Sequence, residues 1–419
     1  MLSEFENTVY SISQVIQVLV FVGGCYFFSI SIFGLIMDRE NSITQHKPTK
    51  KFALVIAAHN EELVIAHIIE SLLRQNYPRN LYDIYVVADN CTDNTANIAR
   101  NHGALVFTRI NNQERGKGYA LEWMFSKLLS MENKYDAICV FDADNLVSSN
   151  FLAEMNNLLC EGHKVIQGYL DSKNPYDSWI TISYSIAFWL SNRIFQLPRY
   201  NLGLSCSLCG TGFCVDTEVL RKIGWGSTCL TEDLEFTMKL ALSGIKIAWA
   251  HNAVVYDEKP LTLKQSWKQR KRWMQGHADC AIRFVAPLLK RAFTKGDLTS
   301  FDCALYLFQP IRFLLIGIMT VMMWVQTIYV NSPFFNIKSF FPDFIWQIYV
   351  ILQFFYGPFI ILLEKKFKME TMIGFIIYPF YCLTWLPITI QGFLSKDNKI
   401  WTHTMHTRTI RISELEEAR

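Results

Sequence analysis

One apolar run constrains this chain more than any other feature. From Ile12 to Met37 no residue is charged and nearly all are apolar, a stretch longer than the roughly 20 residues a helix needs to span a bilayer. A cleaved signal has a shorter apolar core behind a basic start. Here Met1 to Tyr10 holds two glutamates and no lysine or arginine, whereas Arg39, Lys47, Lys50 and Lys51 follow the run. The run therefore reads as a retained anchor. The bias of basic residues to the cytoplasmic side sets the N-terminus outside and brings the chain into the cytoplasm near residue 38.

Apolar runs return near the other end, at about 303–330, 344–363 and 371–394. The first two predict spans, with the linker 331–343 outside and Glu364-Lys365-Lys366-Phe367-Lys368 inside. The third has basic residues on both flanks and contains Pro379 and Pro387. A span would put Lys396, Lys399, Arg408 and Arg411 of the basic tail, 395–419, outside. A re-entrant or interfacial course keeps them inside and suits the prolines, which interrupt a helical ladder. Arg312 is best accommodated if its helix starts after Pro310, at the interface, since arginine deep in a span is costly. Residues 277–300 mix Ile282, Phe284, Val285, Leu288 and Leu289 with Arg283, Lys290 and Arg291, the pattern of a helix lying on the membrane surface. The expectation is a multi-pass protein of the cell membrane with membrane lipid as a partner and a cytoplasmic domain at 50–276.

Of the 419 residues, 51% are hydrophobic, and the mean hydropathy of +0.16 is high for a soluble enzyme. A net charge of +3 makes no electrostatic case for nucleic acid. The 11 cysteines show no secreted framework, and Cys206, Cys209 and Cys214 lack a second pair at zinc spacing. They read as reduced, mostly buried thiols.

Between the membrane runs, short apolar segments alternate with helical patterns. Phe52–Ala58, Ile84–Ala88, Ala104–Phe107 and Ala137–Phe141 are strand-length, and 61–74 places Leu63, Ala66, Ile69 and Leu73 on one helical face. Such alternation predicts an α/β domain with a mostly parallel, Rossmann-like sheet covered on both faces. Ligands bind such sheets beyond the carboxyl ends of the strands. There the sequence collects His59, Asn60 and Glu61, then Asp89 to Asp93, then Asp142 and Asp144. No GxGxxG or Walker loop is present, which disfavours a dinucleotide or P-loop site.

Asp142 and Asp144 form an Asp-x-Asp pair at a strand end. In an extended segment both carboxylates face one way, and hard oxygen ligands suit Mg2+ or Mn2+; a bare strand-end turn is the plainer alternative. Thr231-Glu232-Asp233 precedes a helical pattern containing Leu234, Met238 and Leu242. It fits a threonine cap with acidic residues in the first turn, and it equally fits a carboxylate base at Asp233. Gln269-Arg270-Lys271-Arg272-Trp273 fits a basic interfacial helix. It also fits a site in which Arg272 meets a diphosphate and Trp273 a sugar ring.

Taken in order, Asp89, Asp142-x-Asp144, Thr231-Glu232-Asp233 and Gln269-x-x-Arg272-Trp273 resemble the inverting family 2 glycosyltransferases. They are most similar to the processive synthases of cellulose, hyaluronan, chitin and poly-N-acetylglucosamine. The resemblance implies a GT-A fold, a UDP-sugar donor, a polysaccharide acceptor, a Mg2+ or Mn2+ ion and a β-linked product, with a glucan first and poly-N-acetylglucosamine or hyaluronan-like polymers next. It assigns Glu61, Asp89, Lys117, Asp142 and Arg272 to the nucleotide and donor, and Asp142 and Asp144 to the metal. Asp233 would be the base, with Glu232 the carboxylate beside it. Gly210, Thr211, Gln269 and Trp273 would meet the acceptor. The loop Leu208-Cys-Gly-Thr-Gly departs from the Phe-Phe-Cys-Gly form of cellulose synthases. Accessory subunits or a homo-oligomer would complete an export path. Transfer of one sugar to a lipid, and an inactive nucleotide-sugar-binding partner subunit, are the alternatives.

Overall fold

A computed structural model describes residues 2–36, 43–131, 134–226, 228–329, 340, 342–398 and 408–417. Met37, Arg39, most of the expected linker 331–343, and Lys399 lie outside the described residues.

The chain opens with a long helix, α1 (Leu2–Ile36), and then alternates: β1 (Phe52–Ala58), α2 (Ile65–Leu73), β2 (Tyr82–Asp89), α3 (Thr95–Asn101), β3 (Leu105–Arg109), α4 (Lys117–Ser130) and β4 (Ala137–Asp142). These four strands pair in parallel, with Phe52 opposite Tyr82 and Ala137, and Tyr85 opposite Leu105. β1 and β4 are almost wholly buried, which is why they read as unbroken apolar runs rather than alternating ones. The expected strands are all present: β1 coincides with its apolar run, β2 extends beyond it at both ends, β3 starts one residue later and ends two later, and β4 ends one later.

Beyond β4 come β5 (Leu146–Val147), α5 (Phe151–Cys160), β6 (Val165–Ser172), α6 (Trp179–Ser191), α7 (Leu197–Asn201), β7 (Phe213–Asp216), α8 (Thr217–Ile223), α9 (Glu232–Ser243) and β8 (Ile247–Asp257). The sheet order is β3-β2-β1-β4-β7-β6-β8-β5. β7 runs antiparallel to both β4 and β6, and β5 antiparallel to β8. The sheet is thus mixed, with a parallel half followed by a half that reverses twice. A π-helical turn, Asn192–Gln196, joins α6 to α7.

The remaining helices are α10 (Leu263–Lys295), α11 (Leu298–Ile328), α12 (Asp343–Leu363), α13 (Met369–Leu383), α14 (Trp385–Leu394) and α15 (Ile412–Glu417). Three helical stretches among the described residues are long and apolar enough to cross a membrane: Asn7–Leu35, Leu298–Gln326 and Met369–Leu394. Two sequence expectations change here. α10 is one continuous helix, capped at Thr262 by reciprocal bonds with Gln265, so the boundary drawn at residue 276 falls inside it. α11 starts at Leu298, with Asp297 accepting from the Thr299 and Ser300 amides, and runs straight through Pro310. Arg312 is therefore within the helix, its guanidinium 5.0 Å from the Phe27 ring centre. Gly23 of α1 leaves room for its side chain.

Ionic ties join the long helices to the sheet domain. Arg199 of α7 grips Asp302 of α11 through Nε at 2.7 Å and NH2 at 3.0 Å, and both are fully buried. After α12, Glu364 accepts from Tyr169 at 2.6 Å and Lys366 donates to Asp171 at 2.7 Å. The planar, doubly hydrogen-bonded Arg199–Asp302 pair holds one geometry. The single bonds of Glu364 and Lys366 place the segment after α12 directly against β6.

Candidate active site

Glu61, Asp89, Lys117, Asp142, Asp144, Gly210, Thr211, Glu232, Asp233, Gln269, Arg272 and Trp273 all line a single open cleft at the carboxyl ends of β1, β2, β4 and β8. Every residue singled out in the sequence for chemistry is brought together there, although they span more than two hundred positions of chain.

The wall beyond β1 and β2 is built from loops that lock one another. Asn60 and Asn90 sit at positive φ just beyond β1 and β2, a conformation asparagine tolerates better than most residues. The Thr92 amide donates to Asn60 Oδ1 at 2.8 Å, and the Glu61 amide to Thr95 Oγ1 at 2.8 Å. Asp89 is buried and accepts from Arg109 at 2.7 Å. Sequence reading missed Arg109; a lone arginine ending an apolar strand was its only signal.

At the centre, Lys117 Nζ lies 2.5 Å from Asp142 Oδ1 and donates to the Gly210 carbonyl at 2.7 Å. Burial pulls the Lys117 pKa down, but Asp142, Glu232 and Asp233 outweigh it and hold the ammonium above its ordinary value. Gly210 has φ +82°, and a Cβ there would come 3.4 Å from Asp233 Oδ2. The positive φ is what requires glycine there; a Cβ would only touch that carboxylate.

Glu232 and Asp233 begin α9. Thr231 stands at the cap position, yet its side chain makes no capping hydrogen bond. Instead it packs against Gly276 of α10, where any Cβ would collide with it. The capping alternative therefore lacks its hydrogen bond. Asp233 Oδ1 accepts from the Leu234 amide at 2.8 Å. Enclosure in the cleft, followed by the charge of Glu232, raises its pKa to about 7, against the pull of that amide and of Lys117. Burial also raises Glu232, with Lys117 opposing. A carboxyl poised near neutrality suits a general base.

The Asp-x-Asp pair lies in the cleft for a different reason from the one expected. Only Asp142 is in the strand; Ala143 and Asp144 form a turn closed by the Asn145 amide on the Asp142 carbonyl at 3.1 Å. Asp142 faces Lys117, while Asp144 Oδ2 accepts from the Glu258 amide at 2.9 Å. Thr211 is turned inward: its hydroxyl accepts from the Asp142 amide at 3.1 Å and is hydrogen-bonded to Asn145 Oδ1. The structure thus has Thr211 holding the acidic turn in place.

Across the turn stands Asp257, which the sequence reading did not name although it ends β8. Burial lifts its pKa to about 6; Lys259 opposes this, and Asp144 and Asp142 add to it. A cleft with this excess of carboxylates fits a hard divalent cation. No group of three or more His, Cys, Asp or Glu side chains stands at ligand spacing among the described residues. Asp142 and Asp144 would hold Mg2+ or Mn2+ with few protein ligands, leaving coordination places for water and phosphate oxygens.

The far wall is aromatic. Gln269 Oε1 accepts from Tyr184 of α6 at 3.0 Å. Tyr184 meets Trp273 edge-on at 6.1 Å, and Trp273 stacks on Trp385 at 6.4 Å with planes 23° apart. Arg272 lines the cleft with its Nε lacking a hydrogen-bond partner. All 11 cysteines are free; Cys206 and Cys214 are buried and Cys209 borders the cleft.

Comparison with known proteins matches this geometry. The family model "Glycosyltransferase like family 2" covers residues 48–276. The chain is 27% identical over 372 residues to the probable glycosyltransferase YdaM of Bacillus subtilis, covering 84% of each chain. It is 30% identical over 236 residues to the beta-monoglucosyldiacylglycerol synthase of Nostoc, covering 54% of this chain and 48% of that one. It is 24% identical over 258 residues to the poly-beta-1,6-N-acetyl-D-glucosamine synthase of Staphylococcus epidermidis, covering 59% of each. Among solved structures, the mannosyltransferase PcManGT of Pyrobaculum calidifontis superposes with TM-score 0.57 at 14% identity, over 95% of this chain and 100% of that one. The chain accordingly belongs to glycosyltransferase family 2 and is a glycosyltransferase with a GT-A fold.

Proposed function

We propose that the enzyme transfers a sugar from a UDP-sugar, with inversion, onto a growing β-linked polysaccharide at the cytoplasmic face of the membrane. The observation that carries this reading is the placing of Asp233. It sits near neutrality between the cationic centre at Lys117 and the indole of Trp273, in one cleft. Asp89 and Glu61 take the nucleotide end; Lys117 and Arg272 face the diphosphate. The acceptor sugar lies on Trp273 beside Gln269, and its hydroxyl points at Asp233. Asp233 takes the hydroxyl proton as the oxygen bonds to the anomeric carbon from the face opposite the diphosphate. The carbon–phosphate-oxygen bond breaks and UDP leaves, which converts an α-linked donor into a β-linked product. Asp142 and Asp144 would hold a divalent ion, which when bound would supply positive charge against the departing diphosphate.

Anchoring by α1, α11 and the α13–α14 segment keeps this cleft at the membrane, with the exposed apolar residues Ile282 and Phe293 of α10 on the lipid surface. The polymer reading is supported by the Gln-x-x-Arg-Trp segment and by the likeness to a poly-N-acetylglucosamine synthase. A second reading, one glucose added to a lipid, is favoured by the 30% identity to glucosyldiacylglycerol synthases.

Purified protein in lipid nanodiscs, given radiolabelled UDP-sugars one at a time with Mg2+ or Mn2+, separates the two. Lipid-free product of high molecular weight from one donor supports the polymer synthase. A single sugar that extracts with lipid replaces it by the second reading. No turnover of any UDP-sugar sinks both.

A further inference from the structure

Arg270 lies within the Gln-x-x-Arg-Trp segment but on the side of α10 away from the cleft. It is fully buried, and no carboxylate among the described residues pairs with it. NH1 donates to Thr384 Oγ1 at 2.8 Å, Nε reaches the Ser266 carbonyl at 3.4 Å, and NH2 has no acceptor. Three rings surround the guanidinium: Tyr381 at 4.3 Å, Trp385 at 5.0 Å and Tyr184 at 5.9 Å from its carbon.

A buried cation without a counter-ion is an expensive way to fill space, and an aliphatic side chain would pack there without that cost. What the charge does hold is specific. Thr384 marks the break between α13 and α14, and Trp385 is the first residue of α14. The guanidinium grips both and so fixes the Trp385 indole against Trp273. α14 is also seated along α10 by Trp267 Nε1 donating to Gln391 at 2.9 Å, and by Gly392, whose missing side chain admits Met274. The ring faces of an indole pair suit the C–H face of a pyranose, and a cation behind them orients the rings without competing for sugar hydroxyls.

We propose that Arg270 is a positioning residue for the acceptor: by clamping Thr384 and Trp385 it sets the Trp273–Trp385 indole pair that receives the acceptor's terminal pyranose. This deepens the reading of the cleft as a UDP-sugar transferase site and rests on it. A displaced plate leaves the donor in place but loses the acceptor, so more donor is spent on water.

The test uses full-length protein in nanodiscs and measures UDP release, sugar incorporated and UDP affinity in parallel. Trp385→Ala and Arg270→Met are expected to lower incorporation roughly tenfold, raise acceptor KM, increase the share of donor released as free sugar and leave UDP affinity within about twofold. Arg270→Lys, which keeps charge and a donor but loses the planar fork, should fall between Arg270→Met and wild type, and Trp385→Phe, which keeps a smaller ring face, should fall between Trp385→Ala and wild type. Should Arg270→Met fail to fold, Trp385→Ala carries the test, because that ring is only half-buried. Unchanged partition in these variants, with normal wild-type turnover, overturns the role of Arg270 alone. Loss of UDP affinity in step with transfer overturns it too, by making the clamp a general support of the fold. Wild-type protein that neither binds nor turns over a UDP-sugar overturns the donor reading and this inference with it.

Discussion

The two walls of the cleft work by different physics. The wall carried by β1, β2, β4 and the start of α9 is ionic: Asp142, 2.5 Å away, together with Glu232 and Asp233 holds the Lys117 ammonium, and Glu232 raises the pKa of Asp233. The wall carried by α6, α10 and α13–α14 is aromatic, and its Arg270 is held by ring faces, one hydroxyl and one carbonyl. Charge–charge coupling is strong and distance-dependent, so on the proposed mechanism the first wall would govern chemistry and donor affinity. Ring stacking is weak per contact and sums over area, so the second would govern which acceptor stays and for how long.

That division can be broken experimentally. The largest expected effect is that of Asp233→Asn, which removes the base and should cut transfer roughly a thousandfold while UDP binding persists. Near-normal turnover would take Asp233 out of that role. Chelation should come next: EDTA is expected to stop transfer and Mg2+ or Mn2+ to restore it, and full activity in chelator would remove Asp142 and Asp144 from metal binding. With the Asp233 pKa raised to about 7, the ionised base is present above that pH and lost below it. The maximal rate should therefore fall about tenfold per unit below pH 7; a profile flat from pH 5 to 8 would contradict the assignment. The smallest effect belongs to the aromatic wall. Trp273→Leu should raise acceptor KM roughly tenfold with donor KM nearly unchanged, and an equal loss on both sides would erase the distinction between the walls.

Legibility in the sequence follows the same line. The parallel half, Phe52 to Asp142, was readable because strands buried on both faces are unbroken apolar runs and their ends carry polar residues. The second half was not. β5 has two residues, β7 pairs antiparallel with two neighbours, and neither leaves a periodic trace. Asp257 went unnoticed because its place beside Asp144 is a matter of β8 pairing with β5, not of any local spacing. The i, i+2 argument for Asp142 and Asp144 reached the right cleft through the wrong geometry, since the strand ends at Asp142, two residues short of Asp144. Arg312 shows the opposite failure. Pro310 looked like a helix start, but proline is tolerated within a long helix when neighbours pack around it.

By itself the sequence determined the apolar runs, the alternating core and the identity of the acidic, amide and basic residues that line the cleft. Those depend on composition and on periodicities of two and 3.6 residues, which are local properties of a chain. Only the tertiary structure decided which charges face one another, that Thr211 turns inward, that Thr231 packs on α10 instead of capping α9, and that α13–α14 brings Trp385 to Trp273. These are contacts between residues tens to hundreds of positions apart. Packing of the whole chain selects them, and no window of sequence contains both partners.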